Sequence, residues 1–281
     1  MLPNKRILVA VDSSENGLRA LSRARLIAEH LGCALELLWI GDMPAWQGVS
    51  EELRALEESG VYWVTLDLTE SLEKFVAKRW QSDHFSMLVK GCDVSHDQPS
   101  LLAPMDWRLL RETPCPVLLV KNPERWAGGK VLAAINPLSR KEAMDRHNQT
   151  VMMVSGFLSS QIGAELHTVS AAPSPMLGAD AEMQVPMLIE RRTRQAVDKL
   201  VEQMCIEPVA NHVGEGPPHF LIPNVANDIE ASLVVIGTHA RTGLTGALLG
   251  NTAEQILDRL DTDILVLRAS LPNEVREVMG N

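Results

Sequence analysis

The residues best suited to chemistry lie together near the C-terminus, in Val234-Val-Ile-Gly-Thr-His-Ala-Arg-Thr-Gly-Leu-Thr-Gly-Ala-Leu-Leu-Gly-Asn-Thr-Ala-Glu254. An apolar, strand-like run ends at Gly237, a loop with Gly243, Gly246 and Gly250 follows, and a helix is expected from Asn251. Glycines let backbone N–H groups approach an oxyanion with no Cβ in the way, and unpaired N–H groups at a helix start add positive potential. Arg241 would neutralise a phosphate placed there. The same residues fit a structural turn equally well. Asn251 followed by Glu254 reads as a helix N-cap with a box-like partner, which needs no ligand. His239 alone is more often a loop histidine than a catalytic one. From the residues alone, anion site and structural turn weigh evenly.

Other chemistry has less support. No Ser-His-Asp ordering, paired-carboxylate motif or Walker-type lysine loop points to an enzyme. Cys33, Cys92, Cys115 and Cys205 form no CxxC pair, and no His cluster has zinc-ligand spacing, which argues against a disulfide framework or structural metal. The net charge is −10. Residues 1–126 carry 14 Lys+Arg against 18 Asp+Glu, and the remainder 12 against 18. With no basic stripe in either half, binding to a nucleic-acid backbone is disfavoured. Met1–Asp12 runs straight into a strand-like segment without signal-peptide architecture. No apolar run approaches the ~20 residues of a transmembrane helix. The expectation is a soluble cytoplasmic protein with no membrane insertion.

The elements that must position the loop repeat along the chain. At 281 residues two domains are expected. Lys5–Asp12 aligns with Gly129–Asn136, Met87–Gly91 with Leu233–Gly237, and Leu109–Lys121 with Ile256–Arg268. Three matches in the same order are hard to dismiss. The join falls in the Pro- and Gly-containing stretch Asn122–Gly129, giving domains 1–124 and 128–281. Short apolar runs alternate with helical patterns, the signature of βαβ units around a parallel sheet. Expected strands are Ile7–Asp12, Leu35–Ile40, Tyr62–Leu66, Met87–Gly91 and Val117–Lys121, then Val131–Asn136, Glu165–Ser170, Val209–Val213, Leu233–Gly237 and Ile264–Leu267. The first helix is capped by Ser14, presents Leu18, Leu21, Ala24, Ala28 and Leu31 on one face, and stops at Gly32. A second helix is expected over Glu190–Met204, after a long loop Ala171–Pro186.

Gly237-Thr-His-Ala-Arg-Thr-Gly-Leu, followed by Leu249-Gly-Asn-Thr-Ala-Glu254, resembles the nucleotide loop of universal stress proteins, written G-x2-G-x9-G-[ST]. Val9-Ala-Val-Asp12-Ser-Ser-Glu resembles their opening motif. The resemblance covers both halves. Asp106-Trp-Arg-Leu-Leu-Arg, Pro116–Lys121 and Gly128-Gly-Lys-Val-Leu look particularly like the tandem E subgroup. It implies an α/β fold of two tandem open five-stranded parallel sheets, strand order 3-2-1-4-5, with helices on both faces. A ligand crevice would then lie at the carboxyl ends of the first and fourth strands. It also implies ATP, with Mg when bound, held by the strand-one Asp and the glycine loop.

Carried over by position, the second-half nucleotide residues are Asn136, Gly237, His239, Ala240, Arg241, Gly250, Asn251 and Thr252. Three depart from the pattern. Ala240 stands for the second glycine, at a cost of roughly 1–2 kcal/mol if that site needs φ > 0. Asn251 stands for Ser/Thr, and Asn136 for the strand-one Asp. The first half keeps Asp12 and Gly91 but follows them with Cys-Asp-Val-Ser-His-Asp-Gln-Pro99, whose acids would repel phosphate. The expected function is a non-catalytic stress-response protein with weak ATP binding in the second domain. The alternatives are a weak nucleotide hydrolase using His239 and Arg241, and a scaffold or apolar-ligand module with a vestigial loop. Apolar fifth strands, Pro116–Lys121 and Asp263–Arg268, invite edge pairing. The two domains are therefore expected to form an internal pseudo-dimer there, with a further homodimer also open. All six tryptophans lie in the first half. They are read as core, or with Trp39 and Trp63 lining an apolar pocket.

Overall fold

The computed structural model describes residues 5–12, 14–41, 47–82, 85–92, 102, 104–121, 126–139, 142–175, 184–238 and 251–268. The first half contains β1 (Arg6–Val11), α1 (Glu15–Leu31), β2 (Ala34–Trp39), α2 (Gln47–Ser59), β3 (Trp63–Leu66), α3 (Leu72–Ser82), β4 (Met87–Gly91), α4 (Pro104–Glu112) and β5 (Val117–Val120). The second contains β6 (Lys130–Ala134), α5 (Glu142–Ile162), β7 (Glu165–Ala172), α6 (Pro186–Met204), β8 (Ala210–Glu215), α7 (Pro218–Asp228), β9 (Leu233–Thr238), α8 (Asn251–Leu257) and β10 (Asp263–Arg268).

Every expected strand is present, with ends shifted by one or two residues. In α1 the Ser14 hydroxyl accepts from the Gly17 N–H, and Gly32 adopts φ +62° to end the helix. Its buried face differs from the expected stripe: Leu18 is only half-buried, while Gly17, Ala20, Ile27 and Arg23 join Leu21, Ala24, Ala28 and Leu31. β7 runs on to Ala172, and α6 starts at Pro186 rather than Glu190. Pro at a first helical position needs no N–H and has a helical φ already set. Together these two shifts shorten the expected loop.

The sheet differs from expectation in one respect. Each half keeps its order, β3-β2-β1-β4-β5 and β8-β7-β6-β9-β10, but the two form one ten-stranded sheet. β5 and β10 meet antiparallel, with Leu119 opposite Ile264 and Val117 opposite Val266. An apolar edge strand left alone would expose a row of unpaired backbone groups, and each half satisfies the other's. All other pairings are parallel. Right-handed crossovers then put α1, α2, α5 and α6 on one face and the other helices on the opposite face.

Polar side chains lock this seam on both faces. The buried carboxylate of Asp263 accepts from Arg23 Nε at 3.0 Å, Trp126 Nε1 at 2.7 Å and the Lys121 backbone N–H at 2.7 Å. Lys121, just past β5, and Arg268, the last residue of β10, occupy matching positions, and each reaches into the opposite half. Lys121 Nζ donates to the Leu260 carbonyl just beyond α8. Arg268 donates to the Leu110 and Arg111 carbonyls at the end of α4. A cation at a helix C-terminus satisfies orphan carbonyls and complements the dipole.

At the far edge of the second half, His167 Nδ1 lies 3.1 Å from His212 Nε2, with Glu165 beyond. Burial, and then the charge of His167, hold His212 below the ordinary imidazole range against a smaller pull from Asp228. The unfolded chain takes up this proton near pH 6.5 and the folded chain only at lower pH. The unfolded state therefore binds more protons between those two values, and stability falls as pH drops below about 6.5. The expected result is a lower urea midpoint at pH 5 than at pH 7, with a flatter pH slope in His212→Gln. An equal slope in the variant would assign the effect elsewhere.

Candidate functional site

The two halves treat the carboxyl ends of their first and fourth strands differently. In the first half α1 lies directly on them. A Cβ at Gly17 would stand 2.4 Å from Asp12 Oδ1, and one at Gly91 2.3 Å from the Asn16 backbone. Asp12 is turned inward: its Oδ1 accepts from the Ser14 N–H and hydroxyl, and Lys90 Nζ lies 3.9 Å from its other oxygen. Lys90 is almost fully buried and sits 3.1 Å from Asp106 Oδ1. Burial disfavours its charge, but attraction to Asp106, with Cys92 and Asp12 adding, leaves its pKa above the ordinary lysine value. The Asn16 amide closes the gap by donating to the Cys92 carbonyl. Asp12 and Gly91, expected to be remnants of a ligand site, thus serve internal packing.

In the second half a side chain replaces that direct contact. Asn148 of α5 uses both ends of its amide, accepting from the Asn136 N–H and donating to the Asn136 carbonyl, each at 2.9 Å. The helix is thereby spaced from the strand end by the length of an asparagine side chain. A cavity of about 650 Å³ opens at this point, between the ends of β6 and β9. That volume falls in the range of small-molecule sites. Asn136, Gly237, Asn251 and Thr252 line it together with His147 and Met144. Its described lining is apolar residues and neutral polar groups, with no Asp, Glu, Lys or Arg.

Gly237 has a specific reason to be glycine. Its backbone is not left-handed, but a Cβ there would stand 1.6 Å from Nε2 of the buried His147 ring. Gly91 and Gly237 each admit something from the helix that follows the first strand of their half: a backbone from α1 in one, an imidazole from α5 in the other. His147 and Asn148 were not anticipated. The available signal was two polar residues in a helix whose neighbours Thr150, Val151 and Met152 are all buried.

The expected residues His239, Ala240, Arg241 and Gly250 lie outside the described residues. Glu254 does not serve as the box-like partner of Asn251. Asn251 is itself the first helical residue of α8, and Glu254 Oε1 lies 3.1 Å from Arg111 Nε across the seam. The apolar pocket expected between Trp39 and Trp63 is also corrected. Trp63 pairs with Leu35, at the opposite end of β2 from Trp39, a separation of roughly 13 Å at strand rise. Among the described residues, no group of three His, Cys, Asp or Glu could hold a metal ion. Among them, too, no helix is long and apolar enough to cross a membrane.

Comparison with known proteins agrees with this architecture. The universal stress protein family profile matches residues 3–77 and 154–268. Universal stress protein E of Salmonella typhi is 29% identical over 296 aligned positions, covering 94% of each chain. A universal stress protein E from Photorhabdus laumondii is 35% identical, over 60% of this chain and 56% of that protein. The crystal structure of a Pseudomonas aeruginosa putative universal stress protein superposes with a TM-score of 0.79 at 32% identity, covering 98% of this chain and 96% of that one. The chain belongs to the universal stress protein family.

Proposed function

We propose that this is a non-catalytic stress-response protein of the cytoplasm, built of domains 1–124 and 128–281, in which the second domain alone binds a nucleotide. One observation supports this most. The crevice at the β6–β9 switch point is open to about 650 Å³, while in the first half Gly17, Asn16 and the Lys90–Asp106 pair take up the equivalent space. Ligands of open α/β sheets bind at this kind of switch point. The lining suits an uncharged base and sugar: Asn136, Asn251 and Thr252 supply neutral hydrogen-bonding groups, and Ile236, Ile222 and Ile256 supply apolar walls. Phosphates would extend toward residues 239–250, where Arg241 would meet them. Mg would arrive on those phosphates. Binding is weak because Asn136 brings no charge and Ala240 replaces a glycine.

Calorimetric titration of the whole protein with Mg-ATP tests the reading. Heat saturating in the millimolar range or below is expected in the wild type, and its loss in Gly250→Val. No heat at millimolar nucleotide would sink the proposal. Phosphate release during the same titration would overturn the non-catalytic part and favour hydrolysis at His239 and Arg241.

A further inference from the structure

α8 touches both the cavity and the seam. Asn251, Thr252 and Ile256 line the cavity, while Glu254 of the same short helix pairs with Arg111 on α4 of the first half. The Arg111 guanidinium in turn lies over the Trp107 ring, 5.4 Å from its centre. Just past α8, the Leu260 carbonyl accepts from Lys121 Nζ, another first-half group. The end of α4 is held reciprocally by Arg268, the last residue of β10. A seven-residue helix tied to the first half at both its middle and its exit has little freedom to move alone.

We propose that α8 is a relay through which occupancy of the second-half cavity is read in the first half. This rests on the reading of that cavity as a nucleotide site. If a ligand drawn onto Asn251 and Thr252 favours a position of α8 other than the one it holds unliganded, the condition for coupling is met. Movement of α8 carries Glu254 with it and changes the Arg111 guanidinium's place on Trp107. The first half is then the output end of the molecule: it has given up its own crevice and holds the groups that respond.

The tryptophan distribution makes this testable. Five of the six precede residue 124 and the sixth, Trp126, already donates to Asp263 of the second half, so an emission change that depends on Trp107 has crossed the seam. Mg-ATP is titrated into the full chain with calorimetry and tryptophan emission read in parallel. The expected result is an emission change that saturates with the heat, is lost in Trp107→Phe, and is lost in Glu254→Gln while binding persists. Because this ion pair is partly exposed, Glu254→Gln should alter affinity by about fivefold or less. Binding heat with unchanged emission, or an emission change that survives Glu254→Gln, overturns the relay and leaves the nucleotide reading standing. Absence of heat overturns both.

Discussion

Asp263→Ala is expected to cost about 3–5 kcal/mol, the largest loss from a single seam substitution, because it removes the buried carboxylate onto which a guanidinium, an indole and a backbone N–H donate. Arg23 is one of three donors that converge on this carboxylate, the others being the Trp126 indole and the Lys121 backbone. Arg23 also stacks on Trp126, its guanidinium 5.2 Å from the ring centre, so losing the carboxylate unsettles an aromatic group that is itself buried. Asp263→Asn should recover little, since one amide end presents N–H groups to donors. Equilibrium urea unfolding gives the loss, and Trp126 emission should shift to the red as its ring meets water. A loss below about 1 kcal/mol would mean that strand pairing alone holds the seam.

Gly91→Ala and Gly237→Ala should separate, although both residues lie at the carboxyl end of the fourth strand of their half. At Gly91 the new Cβ meets the backbone of Asn16 and Gly17. Backbone cannot step aside, so α1 must shift, and the loss should be about 3 kcal/mol, the upper end for overpacking. At Gly237 the new Cβ meets the tip of the His147 ring, and that ring has a cavity beside it to rotate into. The stability loss there should be about 1 kcal/mol, with the displaced imidazole narrowing the crevice and weakening Mg-ATP by about tenfold or more. Equal stability losses, or unchanged binding in Gly237→Ala, would refute this account of the two glycines.

Much of the architecture was legible because parallel strands buried on both faces read as continuous apolar runs. Leu233–Gly237 is such a run, Met87–Gly91 is one broken only by Lys90, and their repetition with Val117–Lys121 and Ile264–Leu267 gave the duplication. Pairing of the fifth strands was legible for the same reason: Leu118, Leu119, Leu265 and Val266 leave no charge to keep an edge apart. The fusion into one sheet was less visible, since nothing local distinguishes an edge that stacks from one that continues a ladder. The pairing of Asp263 with Lys121 and Arg23 left no local signal, because these partners lie about 140 and 240 residues away in sequence. The site was half legible. Asn136, Gly237, Asn251 and Thr252 line one cavity, but Asn148 and His147 belong to no loop motif and act through a helix that only tertiary packing brings over the strand ends. Asp12 misled for a related reason. Its type suits a ligand, and only Lys90 and Ser14 beside it reveal that the carboxylate is already engaged.

The seam has a further meaning as a single covalent object. In a dimer of identical chains every position on a twofold interface occurs twice, so a carboxylate placed there must find two sets of partners. Here the position matching Asp263 is Pro116, which needs none. Fusion lets one copy acquire a buried acid, an arginine clasp and an indole donor while the other keeps a plain strand start. It also holds the two copies at a fixed one-to-one ratio that dilution cannot disturb. Under those terms the copy whose strand ends are covered by α1 is not lost as a subunit; it remains attached to the copy that keeps an open cavity.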